Sequence, residues 1–388
     1  MTSATTLCPH VVCVPDSFKG SASAAQAAAA LARGARQVWP EAHAVELPFA
    51  DGGEGTLEAL LAVWERESET VEVVDAIGRP RTARFGRSAD GRTAVLEAAE
   101  GNGLPHVSDQ PLQPLRADTY GVGLIAARLL ELGVEEILLC IGGSASTDGG
   151  TGVLNALGAQ FLDEDGKPVA PGGQGLKDIT AVDLTGLHPV ARRIRWRIAV
   201  DVDNPLVGER GAATVFGPQK GASAQDVEKL DAGLAHLATL LAAETGKEPA
   251  DYLEGAGFGA AGGIPLALVS LLGAEVVPGS QMVGEAVGLA EELAGADIVL
   301  TGEGSLDSQS LGGKVIDAVR KEAPETAAVV VIAGTVKLSA SEVRDAGLAG
   351  ALSIAPGAAE LEDLLARAPQ LIEDTAAQAC SLLAHQIR

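Results

Sequence analysis

The sequence predicts an α/β protein, in which a doubly wound parallel-sheet domain is interrupted by an inserted second α/β domain. Three observations predict this. Short apolar runs pass through glycine- and acid-bearing loops into helical segments near the start of the chain, and the scheme returns from about residue 280. Between these stretches the pattern changes to a hairpin. Finally, 388 residues with 47% hydrophobic content exceed what one core usually holds. The expected division is 1–75 with 280–388 for the interrupted domain, and 76–279 for the inserted one.

Each element has a local reason. Val11–Val14 reads as a buried parallel strand, and Ala24–Trp39 as an Ala-rich helix stopped by Pro40. A strand at Ala44–Leu47 and a helix from Leu57 to Glu65 repeat the unit, and successive units imply right-handed crossovers. Val71–Ala76 reads as a strand. Thr82–Arg87 and Thr93–Glu97 flank the turn Ala89-Asp90-Gly91 and predict an antiparallel pair. A helix at Gly121–Leu132 and strands at Glu136–Ile141 and Ile194–Val200 follow. Ser223 with Asp226 opens a capped helix to Thr245. The last third reads as a helix from Ser280 to Leu293, a strand at Asp297–Leu300 and a glycine-rich loop. It continues with a helix from Lys314, strands at Ala328–Ile332 and Ala351–Ile354, and a long amphipathic segment from Ala359.

Composition excludes several classes. A net charge of -24 argues against nucleic acid as a partner, because phosphate backbones need a basic face. The same charge repels phosphate ligands, so a phosphate-handling site must concentrate cations locally or recruit a metal. Cys8, Cys13, Cys140 and Cys380 form neither a disulfide framework nor a zinc pattern, and Cys13 and Cys140 sit in apolar runs as packing residues. The N-terminus lacks a basic region followed by a long apolar one, and no apolar run is long enough to span a bilayer. A cytoplasmic enzyme, without a membrane partner, is the expectation.

In open parallel sheets, ligands bind beyond the carboxyl ends of strands, and the unusual loops stand there. Ser17, Lys19 and Gly20 precede a helix and suit an anion. Asp51, Gly52, Gly53 and Glu54 place two carboxylates on a flexible backbone, suited to Mg²⁺ or a substrate hydroxyl. Gly142–Gly150, with Gly143, Ser144 and Asp148, is dense in glycine and hydroxyls like a phosphate cradle, yet no Walker A pattern occurs in the chain. Asp201 and Asp203 precede Asn204-Pro205, where one acid can hold a metal while the other takes a proton. Gly255–Gly263, with Gly262 and Gly263, has so few side chains that a ligand or another backbone must approach closely. Thr301–Ser310 carries Glu303 and Asp307 and leads to Lys314. Three of only nine lysines, Lys19, Lys220 and Lys314, stand beside glycines in these loops, where phosphates would need them.

The stretches PDSFKGS, ADGGEGT, GGSASTDGG, DVDNPL, FGPQKGA, GAGFGAAGG and TGEGSLDSQSLGGK, in this order over residues 10–380, resemble the signatures of the bacterial glycerate kinases. One departure is Thr147, where that family commonly has Asn. The resemblance implies phosphorylation of D-glycerate by ATP with Mg²⁺, generally to 2-phosphoglycerate. It also implies a flavodoxin-like domain split by an inserted domain of restriction-endonuclease-like fold.

Residue roles are expected from chemistry rather than from the resemblance. Asp203 orients or deprotonates the attacking hydroxyl, and Lys19 binds the substrate carboxylate. Asp51 acts at the reacting centre or, with Asp148 and Asp307, holds the metal. Ser17, Gly52, Gly53, Gly143, Ser144, Lys220, Gly262, Gly263, Glu303 and Lys314 bind substrate or phosphate. The substrate is expected between the two domains, since phosphoryl transfer mainly requires positioning and charge neutralisation. Two rivals stand beside this reading: a phosphohydrolase using Asp201-Val202-Asp203 as an aspartyl nucleophile, and a non-catalytic small-anion binding protein.

Overall fold

A computed structural model describes residues 8–386; most of the segment read as lacking a secretion signal, Met1–Leu7, lies outside the described residues. The strands, in chain order, are β1 (His10–Pro15), β2 (His43–Glu46), β3 (Glu69–Val74), β4 (Pro80–Arg87), β5 (Thr93–Glu97), β6 (Glu136–Cys140), β7 (Gln160–Leu162), β8 (Ala181–Asp183), β9 (Arg195–Ala199), β10 (Glu275–Val277), β11 (Ile298–Leu306), β12 (Ala328–Val336) and β13 (Gly350–Ser353). The chain divides into two compact units. The first comprises residues up to Asp51, Glu58–Glu65 and the chain from Ser280 onward, and the second comprises Gly52–Leu57 and Arg66–Gly279.

The first unit holds a parallel sheet ordered β13-β12-β11-β1-β2. Counted along this unit alone the order is 2-1-3-4-5, the doubly wound order whose direction reverses between β1 and β11. Apolar residues fill both faces, as a sheet covered on both sides requires. Val11, Cys13, Ile298 and Leu300 pack with Leu31 and Ala35 of helix Ala24–Val38 and with Leu371, Ile372 and Ala376 of helix Ala368–Gln386. The alternate residues Val12, Val14 and Val299 are also fully buried, as are Val315, Ile316 and Val319 of helix Val315–Glu322.

Three expectations are corrected here. Strand β11 does not end at Leu300 but stays paired with β12 as far as Leu306 opposite Val336. The glycines that read as a loop serve close approach: a Cβ on Gly302 would lie 2.0 Å from the Ile332 carbonyl oxygen. The helix expected over 280–293 is two, Gly279–Val287 and Leu289–Leu293, because Gly288 turns the backbone into the left-handed region at φ 67°. The closing amphipathic segment likewise divides into Leu361–Ala366 and Ala368–Gln386.

The second unit is built on a mixed sheet ordered β10-β9-β6-β5-β4-β3. Strands β10, β9, β6 and β5 run parallel, while β4 is antiparallel to both β5 and β3. Residues 66–75, grouped by sequence with the interrupted domain, therefore belong with this sheet: Glu69–Val74 pair along β4 from Glu69 opposite Phe85 to Val74 opposite Pro80. Leu139, Trp196 and Ile198 form the core with Leu129 of helix Tyr120–Glu131, Leu237 of helix Ala224–Thr245 and Leu268 of helix Ile264–Leu272. The expected Ser223–Asp226 capping box is present. Strands β7 and β8 form a separate antiparallel pair.

Candidate functional site

In the first unit, the strand-order reversal places the carboxyl ends of β1 and β11 side by side, with Pro15 opposite Gly302. Asp16 follows β1 directly. Its backbone N–H donates to the Gly302 carbonyl at 2.8 Å, and its Oδ1 accepts the Ser17 N–H at 2.6 Å. Lys19 stands exposed on a tight turn between Phe18 and Ala22, whose backbones bridge.

Burial, then the neighbouring charges of Asp51 and Glu303, push the Asp16 carboxyl up to about 7, against the pull of the Ser17 hydrogen bond. Glu303 is also raised, by burial and by Asp307 and Asp51, while a hydrogen bond with Ser310 and the charge of Lys314 oppose the shift. Glu303 Oε1 and Ser305 Oγ are buried with no hydrogen-bond partner among the described residues.

Lys314 is set by its neighbour Gly313. That residue's N–H donates to Asp317 Oδ2 at 2.9 Å, and its carbonyl accepts from Ser280 Oγ at 2.6 Å. Asp307 accepts the Gln309 N–H at 3.1 Å and lies 3.5 Å from Lys337 Nζ. The first unit thus gathers Asp16, Asp51, Glu303, Asp307 and Lys314. Asp16 was missed by sequence reasoning, although its place as the first residue beyond a buried strand is the signal that could have found it.

In the second unit, the loop after β6 turns its side chains inward. Ser144, Ser146, Thr147 and Asp148 are buried, and only Gly142 and Gly143 of residues 141–150 are exposed. Asp148 Oδ2 accepts the Thr119 N–H at 2.9 Å, the Thr119 hydroxyl at 2.7 Å and the Gly152 N–H at 3.1 Å, while Oδ1 accepts the Gly150 N–H at 3.1 Å. Burial pushes this carboxyl up and these four donors pull it back. A fully buried carboxylate occupied on both oxygens is a clamp on the loop, so its geometry speaks against the metal-ligand role expected for it.

Lys220 is buried as well, donating to Ser144 Oγ at 3.0 Å and to the Ser146 carbonyl at 2.6 Å. Asn102 Nδ2 donates to Ser146 Oγ at 2.8 Å, another contact the sequence did not announce. Gly262 and Gly263, expected at phosphate, have a packing reason instead. A Cβ on Gly262, whose φ is 74°, would meet the Ser146 carbonyl oxygen at 2.1 Å.

The remaining expected residues of this unit lie on neighbouring loops. A Cβ on Gly52 would meet Gly279 Cα at 2.6 Å, and Gly142 lies beside Gly53. Glu97 Oε1 accepts the N–H groups of Gly55 and Leu57 at 3.1 and 2.9 Å, fixing this turn. After β9, Asp201 Oδ1 accepts the Gly279 N–H at 2.9 Å. Asp203 is exposed and paired with Arg210 at 2.6 Å. The Asn204 carbonyl accepts from Gly257 and Gly259, stitching this loop to the glycine-rich one.

The sequence matches the model of the Glycerate kinase family over residues 11–384. It is 39% identical over 367 residues to a glycerate kinase of Halalkalibacterium halodurans, covering 94% of this chain and 96% of that one. It is 38% identical over 354 residues to the glycerate 2-kinase of Escherichia coli, covering 91% and 92% of the two chains. The fold superposes with a TM-score of 0.89 on a crystal structure described as a glycerate kinase 2 from Salmonella typhimurium LT2, at 39% identity, covering 98% of this chain and all of that one. With the family model matched over residues 11–384 and relatives of 38–39% identity covering more than nine-tenths of both chains, the chain belongs to the glycerate kinase family.

Proposed function

We propose that this protein transfers the γ-phosphoryl group of ATP to D-glycerate, giving 2-phosphoglycerate, in the cytoplasm. Membership of the family supports the reaction. The observation that carries it to particular residues is the gathering of Asp16, Asp51, Glu303, Asp307 and Lys314 at the strand-order reversal, where an open parallel sheet binds ligands.

The donor set there fits Mg²⁺. Among the described residues no group of three or more His, Cys, Asp or Glu forms a metal cage. Mg²⁺ does not need one, since it takes one or two carboxylates and completes its shell with phosphates and water. Asp51 and Glu303 would hold it, and Glu303 brings a buried oxygen with no hydrogen-bond partner among the described residues. Bound there, the ion would screen the charge of the phosphates.

The chain's own residues do the rest. Lys19 and Lys314 offset phosphate or carboxylate charge that a chain of net charge -24 otherwise repels. Asp16, whose carboxyl is raised above its ordinary value first of all by burial, is poised to accept the hydroxyl proton at Oδ2, because a raised pKa makes a carboxylate a better base near neutral pH. Asp203 is the alternative acceptor, but it already spends an oxygen on Arg210. That pairing, with Asp201 bonded to the Gly279 N–H, also weakens the phosphohydrolase reading. No helix among the described residues is long and apolar enough to cross a membrane.

The test is ADP release with ATP, Mg²⁺ and D-glycerate, followed by NMR of the product. Phosphate release without phosphoglycerate would favour the hydrolase, and glycerate binding without ADP would favour a binding protein. Of the variants Asp16→Asn and Asp203→Asn, the first is expected to lose kcat by about 100-fold or more. Near-normal kcat in folded Asp16→Asn would return the role to Asp203.

A further inference from the structure

We infer that Lys220 is a positioning residue for phosphoryl transfer: from inside the second unit it fixes the loop whose exposed Gly142–Gly143 backbone receives an anionic group of the substrates. The inference rests on the kinase reading above.

Lys220 cannot meet a ligand directly, because it is only 3% exposed. Its two hydrogen-bond partners among the described residues, Ser144 Oγ and the Ser146 carbonyl oxygen, are both neutral. Burying an ammonium against neutral oxygens is unfavourable, and an apolar side chain of similar volume would fill the same space more cheaply. The charge is therefore not explained by packing. What it does geometrically is hold the loop at two points, Ser144 and Ser146, immediately beyond its two exposed glycines. Asn102 holds Ser146 from another side, and Asp148 anchors the far end through Thr119, Gly150 and Gly152. The loop's own hydroxyls are thereby turned inward, leaving exposed backbone at Gly142 and Gly143 as the part that can meet an anion, with a fixed positive charge behind it.

The charged group acting on Lys220 is Asp148, which is itself coupled to Asp118. Burial draws the ammonium down to about 8 while Asp148 holds it up. The device should therefore fail in mildly alkaline solution.

The experiment measures kcat and KM for ATP and glycerate from pH 6.5 to 9.5 in the wild type, Lys220→Met and Ser144→Ala, with thermal unfolding of each. The wild type should lose kcat on the alkaline side with a midpoint near pH 8. Lys220→Met should keep its KM values within about threefold, lose about 100-fold in kcat and lack that alkaline limb. Ser144→Ala keeps the lysine but removes an acceptor of its charged form, so its midpoint should move to lower pH, and this holds even if Lys220→Met fails to fold. Wild-type kcat in Lys220→Met, a raised KM with kcat unchanged, or an unmoved midpoint in Ser144→Ala would overturn the inference while leaving the kinase reading intact. A wild-type protein that makes no ADP with glycerate overturns both.

Discussion

Asp148 gives the sharpest test of how the second unit's loop is built. The sequence places it among hydroxyls and glycines, where a metal ligand is the natural expectation, whereas the structure spends both its oxygens on four donors. Asp148→Ala would strand three buried backbone N–H groups, of Thr119, Gly150 and Gly152; the Thr119 hydroxyl can rotate. At about 1–3 kcal/mol for each stranded group, less the relief of no longer burying a charge, the expected loss is about 3–5 kcal/mol. Asp148→Asn is milder. Its amide oxygen can take the place of Oδ2 and keep three donors, while its NH₂ faces the Gly150 N–H, so about 1–3 kcal/mol is lost. Urea unfolding at pH 7, with the slope of each transition checked against the wild type, measures both. If Asp148 held the metal instead, EDTA would erase the wild type's advantage over the variants. The clamp requires that advantage to survive EDTA and added Mg²⁺ alike. Equal losses for Ala and Asn, or an advantage that disappears on chelation, would refute the reasoning.

The acidic cluster of the first unit makes a pH prediction. The folded-state pKa of Asp16 is raised, so its contribution to stability is complete below about 4 and is lost as pH rises through about 7. In metal-free buffer, Asp16→Asn should match the wild type near pH 4 and exceed it above pH 7, by at most about 4 kcal/mol from roughly three units at ~1.4 kcal/mol each; a gap independent of pH would contradict this. Mg²⁺ with ATP should shrink the gap by relieving repulsion among Asp16, Asp51 and Glu303. Asp317 runs the other way: burial raises it, but its bonds to Lys321 and Arg320 prevail and lower it, so its contribution is present above about 4 and lost on acidification. Asp317→Asn should flatten the decline in denaturation midpoint on acidification below about pH 4, and an unchanged decline would count against it. Gly262→Ala combines a left-handed backbone with a Cβ 2.1 Å from a carbonyl oxygen and should cost more than about 3 kcal/mol. Gly20→Ala, at φ 78° with open space around it, should cost only about 1 kcal/mol, and comparable losses in the two would disprove the contact argument.

What the sequence could and could not disclose follows from what each signal measures. Buried parallel strands announce themselves because both faces are apolar, which is why β1 and β6 are legible, while β9 carries Arg195 and Arg197 on one face and shows only its other face and its end as apolar. The partners of these strands are not legible. Apolar runs carry no information about which strand lies alongside, so Glu69–Val74 read as easily with the first domain as with β4. Glycine was the most misleading residue. Along Thr301–Leu306 it looked like a loop, although Gly302 is there because a neighbouring strand's carbonyl lies where its Cβ would be. At Gly262 it looked like room for phosphate, although the room is filled by the backbone of Ser146 and Thr147. The site shows the same division. The identities of Lys19, Asp51, Glu303 and Lys314 stand out by residue type and position, but burial is what separates a group that meets solvent from one that holds a loop. Polar residues among glycines look exposed, so Asp148 and Lys220 read as ligand-binding in the sequence, yet both are among the most buried charges of the second unit. Their chemistry is then indirect: a carboxylate and an ammonium inside the fold set the geometry of two exposed glycines that carry no side chain at all.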